Sequence, residues 1–204
     1  MKYYPPSNHI YYESSDVPIN KLEIKELEIL TEIEKELLVR AYEKLHNELD
    51  ETVEFNEKYL CTVHETIFAP LYTWAGKYRT VNISKDESMF CPYLNLETFS
   101  KEIFTKLKND NFLKNYEDIS KKSEFIDKLS FYICELNVLH PFNEGNGRTL
   151  RLFFDMIVTY NGYEYINYEE ALENNEYINA SIDCMMADCE KIKNIIDKGL
   201  ERIP

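Results

Sequence analysis

Apolar residues recur at three- and four-residue spacing along most of this chain, the period of helices with one buried face. The clearest run spans 121–140, where Phe125, Leu129, Tyr132, Ile133, Leu136 and Leu139 form one stripe and Ser123 is a candidate cap. A second stripe, Leu150, Phe153, Phe154, Ile157 and Val158, predicts a helix over 147–161. Gly162, after Asn161, is its stop signal. The same spacing gives helices near 25–48, 51–70, 96–107, 167–173 and 175–200. The first of these carries a face of glutamates and lysines, the pattern of a solvated surface.

Two stretches depart from the helical period. Tyr72 to Lys77 reads as a helix ending at Gly76. Tyr78 to Ile83 is β-favouring, Ser84 to Ser88 is turn-like, and Met89 to Cys91 returns toward Pro92, so a hairpin is expected over about 78–91. The first two dozen residues are polar and aromatic, broken by Pro5, Pro6 and Pro18, and read as an irregular arm.

Composition narrows the class. At 204 residues, with 44% hydrophobic and 29% charged positions, the chain fits a single soluble globular domain, 1–204. A net charge of −14 argues against nucleic acid or an acidic membrane surface as partner. No run of about 18 apolar residues is present for a membrane span. The Met1–Pro6 start lacks the apolar core of a secretion signal, so a cytoplasmic location is expected. Five scattered cysteines (Cys61, Cys91, Cys134, Cys184, Cys189) show no zinc spacing, and reduced thiols are the expectation.

The chemistry concentrates in 140–151: His140, Pro141, Phe142, Asn143, Glu144, Gly145, Asn146, Gly147, Arg148, Thr149, Leu150, Arg151. Pro141 disfavours helix in the residue before it, so His140 falls at or just past the end of the first striped helix. The loop then enters the second helix, whose N-terminal amides and dipole attract anions. Gly145 and Gly147 permit positive φ and close approach of amides to a ligand. Arg148 and Arg151, three apart, share a face, and their forks suit phosphate oxygens. Each part alone is commonplace, His140 as a cap or Gly-Asn-Gly as a turn. Together they supply a proton acceptor, a metal-anchoring acid, an anion cradle and cations. Neither the Walker loop nor the dinucleotide fingerprint matches.

In these residues the sequence resembles Fic-domain proteins, whose signature is His, any, Phe, any, Asp or Glu, Gly-Asn-Gly-Arg, two residues, Arg. The resemblance implies an all-α fold, a compact helical bundle with one small β-hairpin flap. It places an arm and first helix in 1–55 and the Fic domain in 56–195. It implies transfer of AMP from ATP to a Ser, Thr or Tyr hydroxyl of a target protein, with a toxin–antitoxin setting among its associations, and the chain's sixteen tyrosines, several in turn-like segments, add self-modification as an expectation. His140 would be the general base and Glu144 the Mg²⁺ ligand. Asn143, Gly145, Asn146 and Gly147 would form the anion hole, and Arg148 and Arg151 would grip the β- and γ-phosphates. A histidine near its ordinary pKa suits a base working near neutrality. The related phosphate-transferring branch has Lys where Gly147 stands, so AMP transfer is favoured. The flap is expected to align an extended segment of the target, with Lys85 and Asp86 near the nucleotide and Asn137 lining its pocket. Phe142 and Trp74 read as core residues.

Many family members are silenced by a helix bearing Ser or Thr, three residues, Glu, then Gly or Asn. Thr98 to Glu102 and Ser120 to Glu124 have the spacing, but Ile103 and Phe125 follow them. The chain therefore resembles the class restrained by a separate inhibitory antitoxin polypeptide. A degenerate internal motif, with Glu190 or a first-helix glutamate reaching Arg151, stands as an alternative. A catalytically idle binding module and a transferase using another nucleotide donor are the alternatives for function.

Overall fold

The stripe Leu150, Phe153, Phe154, Ile157 and Val158 lies at the centre of the core, and the helix that bears it is buried on most of its surface. The computed structural model describes residues 10–85 and 88–203; for Lys85 and Ser88 it describes the backbone only. Among the described residues the helices are α1 (Leu27–Asn47), α2 (Glu57–Phe68), α3 (Leu96–Asn109) and α4 (Lys122–Leu139). They are followed by α5 (Asn146–Tyr160), α6 (Glu169–Glu173), α7 (Glu176–Asp183) and α8 (Glu190–Gly199). The fold is mostly helical. α5 packs against α1, α2 and α4, and α8 lies against α4 and α7. Phe55, Phe68, Phe125, Phe142 and Phe153 are fully buried between these layers. Each contributes roughly 1.5–3 kcal/mol by leaving water.

Helix boundaries follow local chemistry. α2 begins at Glu57 rather than near 51, because the Asn56 side chain caps it by accepting the Tyr59 amide at 2.9 Å while Phe55 turns into the core. It ends at Phe68, and Leu71 to Gly76 form turns where a helical ending was expected. Asp118, not Ser123, opens the α4 region: its carboxylate accepts the Ser120 amide at the head of a 3₁₀ turn that leads into the helix. α5 closes at Gly162 (φ 78°), whose amide bonds the Thr159 carbonyl while the Tyr163 amide reaches that of Val158. The long helix expected over 175–200 is two helices. Ala187 adopts φ 59°, and Asp188 then caps α8 by accepting the Glu190 amide.

The segment 78–83 carries no strand. A pairing of two residues on each side, β1 (Ser84–Lys85) with β2 (Ser88–Met89), runs antiparallel with Ser84 opposite Met89. Cys134 on α4 and Cys184 at the end of α7 are bonded as a disulfide, contrary to the expectation of reduced thiols. Packing of the 3₁₀ turn Cys184–Met186 against α4 brings their Cα atoms to 5.0 Å, within bridging distance. No helix of the described residues is long and apolar enough to cross a membrane.

Candidate active site

The 140–151 run is the connection between α4 and α5. His140 is the C-cap of α4, in the left-handed region at φ 46°, ψ 61°. Its ring is buried and stacks on Phe90 at 3.8 Å with an 18° tilt. His140 Nδ1 lies 3.0 Å from the Asn137 carbonyl. A carbonyl only accepts, so the neutral ring carries its proton on Nδ1 and its lone pair on Nε2.

The loop folds by spending half of its side chains inward. Phe142 is fully buried and stacks on His64 at 3.8 Å. The Asn146 side chain accepts the Phe142 amide at 2.9 Å and donates to the Phe142 carbonyl at 2.8 Å, closing the loop on itself. Gly145 sits at φ 78°, and a Cβ there would stand 2.4 Å from the Phe68 ring. Gly147 differs from the sequence expectation: it adopts helical φ, and a Cβ would meet only an Arg151 nitrogen at 3.4 Å. Its smallness leaves open space at the α5 N-terminus rather than relieving backbone strain.

The remaining side chains form the polar half. Glu144 is half-buried, accepts the Tyr11 hydroxyl at 2.7 Å, and is reached by the Gly145 amide at 3.3 Å. Burial raises its pKa above the usual carboxylate value, while Tyr11, the amide and Arg148 oppose that rise. Arg148 pairs with Glu34 of α1 at 2.7 Å, and its guanidinium lies over Phe68 at 4.8 Å. Tyr72 donates to the other Glu34 oxygen at 2.5 Å. The first-helix glutamate thus reaches Arg148, not Arg151 as the internal-motif alternative had it. Arg151 lies over the Tyr177 ring at 5.4 Å. One turn further along, Asp155 accepts the Tyr42 hydroxyl and the Ile166 amide, and burial raises its pKa to about 7.

Of the other expected site residues, Asn137 commits its amide to the Ser181 carbonyl at 2.9 Å and so ties α4 to α7. Asn143 is half-buried in the loop. Lys85 ends β1, and Asp86 lies outside the described residues.

Sequence reading missed several residues that build the site: Tyr11, Glu34, His64, Arg79 and Phe90. His64 had a signal, being a histidine on the apolar stripe Leu60, Val63, Ile67, Phe68. Its Nδ1 accepts the Gly76 amide at 2.8 Å and its Nε2 lies 3.1 Å from the Glu144 carbonyl. Burial lowers its pKa to about 3, so it stays neutral.

One carboxylate beside a helix N-terminus and two arginines fits Mg²⁺ carried on nucleotide phosphates, because Mg²⁺ takes few protein ligands there. It does not fit an all-protein metal cage, and no cluster of three metal-ligating side chains occurs among the described residues.

A histidine-capped helix–loop–helix connection of this sequence defines a class. Residues 54–158, just over half of the chain, match the Fic/DOC family, and the chain belongs to it. It is 31% identical over 202 residues to the protein adenylyltransferase VbhT of Bartonella schoenbuchensis, covering 98% of this chain and 41% of that protein. It is 29% identical over 140 residues to the Escherichia coli relative named Fic, covering 69% and 67% respectively. Among solved structures, BepC of Bartonella tribocorum with bound AMPPNP superposes at a TM-score of 0.81 with 19% identity, covering 97% of this chain and 100% of that one. A Bep effector's N-terminal Fic domain from Bartonella quintana, solved with bound ADP, gives 0.78 at 22% identity, covering 95% of each. At these identities the structural likeness establishes the fold. The chain spans less than half the length of VbhT.

Proposed function

We propose that this chain is a protein adenylyltransferase that moves AMP from ATP to a hydroxyl side chain of a target protein. One observation carries the reading: the Asn137 carbonyl sets the neutral His140 ring with its proton on Nδ1 and its lone pair on Nε2, in the loop that leads into the α5 N-terminus bearing Arg148 and Arg151. In this reading His140 Nε2 takes the proton of the incoming hydroxyl. The hydroxyl oxygen bonds to the α-phosphorus, the bond from that phosphorus to the bridging oxygen breaks, and pyrophosphate leaves. Such transfer is largely positioning plus charge stabilisation. The amides of Asn143 to Gly147 and the two arginines would hold the phosphates, with Arg148 exchanging Glu34 for a phosphate oxygen. Glu144 would hold Mg²⁺, which would supply charge neutralisation at the phosphates.

Residues 56–195 would form the transferring unit, the β1–β2 hairpin would act as the flap beside the nucleotide, and Lys85 and Asp86 would be its residues near the phosphates. An extended segment of the target would lie along it through backbone bonds. A chain that lacks an intact inhibitory motif fits restraint by a second polypeptide. The relatives named adenylyltransferase support the activity.

The test is incubation of the chain with a lysate and ATP labelled at the α- or the γ-phosphate. Relative to lysate alone, addition of the chain should raise α-label in protein and leave γ-label unchanged, all uptake being read as that difference. Uptake of γ-label would mean phosphate transfer, and uptake of neither, with ATP bound normally, would mean an idle binding module.

A further inference from the structure

Arg79 is a buried guanidinium with no assigned role, and its contacts converge on the site from two sides. Its Nε donates to the His140 carbonyl at 2.8 Å, and one Nη donates to that of Leu139 at 3.2 Å. These are carbonyls at the C-terminal end of α4, which lack helical partners and favour a cation. The same Nη donates to the Cys91 carbonyl at 2.5 Å and the other Nη to that of Val81 at 2.8 Å, on the two segments flanking the hairpin. Backbone bonds add to the lacing: the Arg79 amide reaches the Pro141 carbonyl at 2.8 Å, and the Cys91 amide that of Val138 at 3.1 Å. Phe90, beside Cys91, supplies the face on which the His140 ring stacks.

We propose that Arg79 is a positioning residue that fixes His140 and the hairpin in one geometry, so that the base and the docked acceptor segment meet in register. The proposal rests on the reading of His140 as the base. His140 holds a left-handed backbone conformation that a side-chain-bearing residue adopts reluctantly. Donation to its own carbonyl and to the one before it holds that conformation in place. The rigid guanidinium fork spans four acceptors, two at the end of α4 and one on each segment flanking the hairpin, whereas a lysine presents one point charge. Loss of the fork should free the Phe90 segment from the end of α4, and the His140 ring with it.

The test compares the full chain with Arg79→Lys and Arg79→Gln, using histidine ring ¹³C–¹H NMR together with transfer of α-label from ATP. Stacking at 3.8 Å should shift the His140 ring resonance upfield in the wild type, where comparison with His140→Ala assigns it. The His64 resonance reports folding. The proposal expects both variants to lose the His140 shift, keep the His64 resonance, bind ATP within about threefold of wild type, and transfer AMP at least 30-fold more slowly. An unchanged His140 shift would overturn it. So would unfolding of both variants, seen as loss of the His64 resonance, which would make Arg79 a residue of stability alone. The ring shift is read without turnover, so a wild type that transfers nothing would overturn the adenylyltransferase reading and leave the positioning role to be judged by NMR.

Discussion

Two histidines of this molecule stack on phenylalanines with nearly the same geometry. His64 lies on Phe142 at 3.8 Å and 17°, His140 on Phe90 at 3.8 Å and 18°. Ring packing therefore says nothing about their roles. The difference is in the nitrogens. His64 accepts an amide at Nδ1 and donates from Nε2 to the Glu144 carbonyl, so both nitrogens hold loop backbone. His140 donates from Nδ1, which leaves the lone pair on the opposite nitrogen. One ring is a strut, and the other is the base of the proposed transfer. The same division runs through the whole α4–α5 connection, whose inward residues hold the shape that its outward residues use.

The division can be broken from the inside first. Gly145→Ala should have the largest effect on stability. It adds a Cβ 2.4 Å from the Phe68 ring at a positive φ, costing about 2–5 kcal/mol from backbone strain and overpacking. Thermal melting should fall by roughly 4–20 °C, and ATP binding should go with it. His64→Leu keeps the packing volume but leaves the Gly76 amide and the Glu144 carbonyl without their partner. A loss of about 2–4 kcal/mol is expected in urea unfolding. A melting point unchanged by either substitution would mean that the loop is not built from within.

Two of the buried ionisable groups, His64 and Asp155, sharpen the comparison through pH, with opposite signs. In the unfolded chain His64 takes a proton below about 6.5, but in the fold only near 3. Its contribution to stability is therefore lost as pH falls from about 6.5 toward 3. Asp155 keeps its proton up to about 7 in the fold and loses it near 4 when unfolded. Its contribution is lost as pH rises from about 4 to 7. Urea unfolding measured between pH 4 and 8 should show His64→Leu flattening the acid limb and Asp155→Asn the neutral limb.

The smallest effect is expected on the outward face. Arg148 is half-buried and Glu34 buried, but Gln retains an acceptor for one of the two donors, so Glu34→Gln should cost about 1–2 kcal/mol. A loss above about 3 kcal/mol would mean that the pair belongs to the structural half.

Much of the helical scaffold was legible in the apolar spacing, and the compact 140–151 run identified the candidate site. Helix ends were less so: α2 starts where Asn56 can cap, and the C-terminal helix breaks at Ala187, neither of which periodicity reveals. The residues that hold the site were illegible for a simpler reason. Tyr11 lies 133 positions from Glu144, Glu34 lies 114 from Arg148, His64 lies 80 from Glu144, and Arg79 lies 61 from His140. Local patterns carry no record of such contacts until the helices have packed.

The central claim is that Nε2 of His140 accepts a proton while the loop behind it stays intact. Its most direct measurement is α-label transfer by His140→Ala, with calorimetric ATP binding measured on the same sample. Transfer should fall by about 10²–10⁴-fold, with ATP affinity and melting temperature close to wild type. Undiminished transfer would contradict the account.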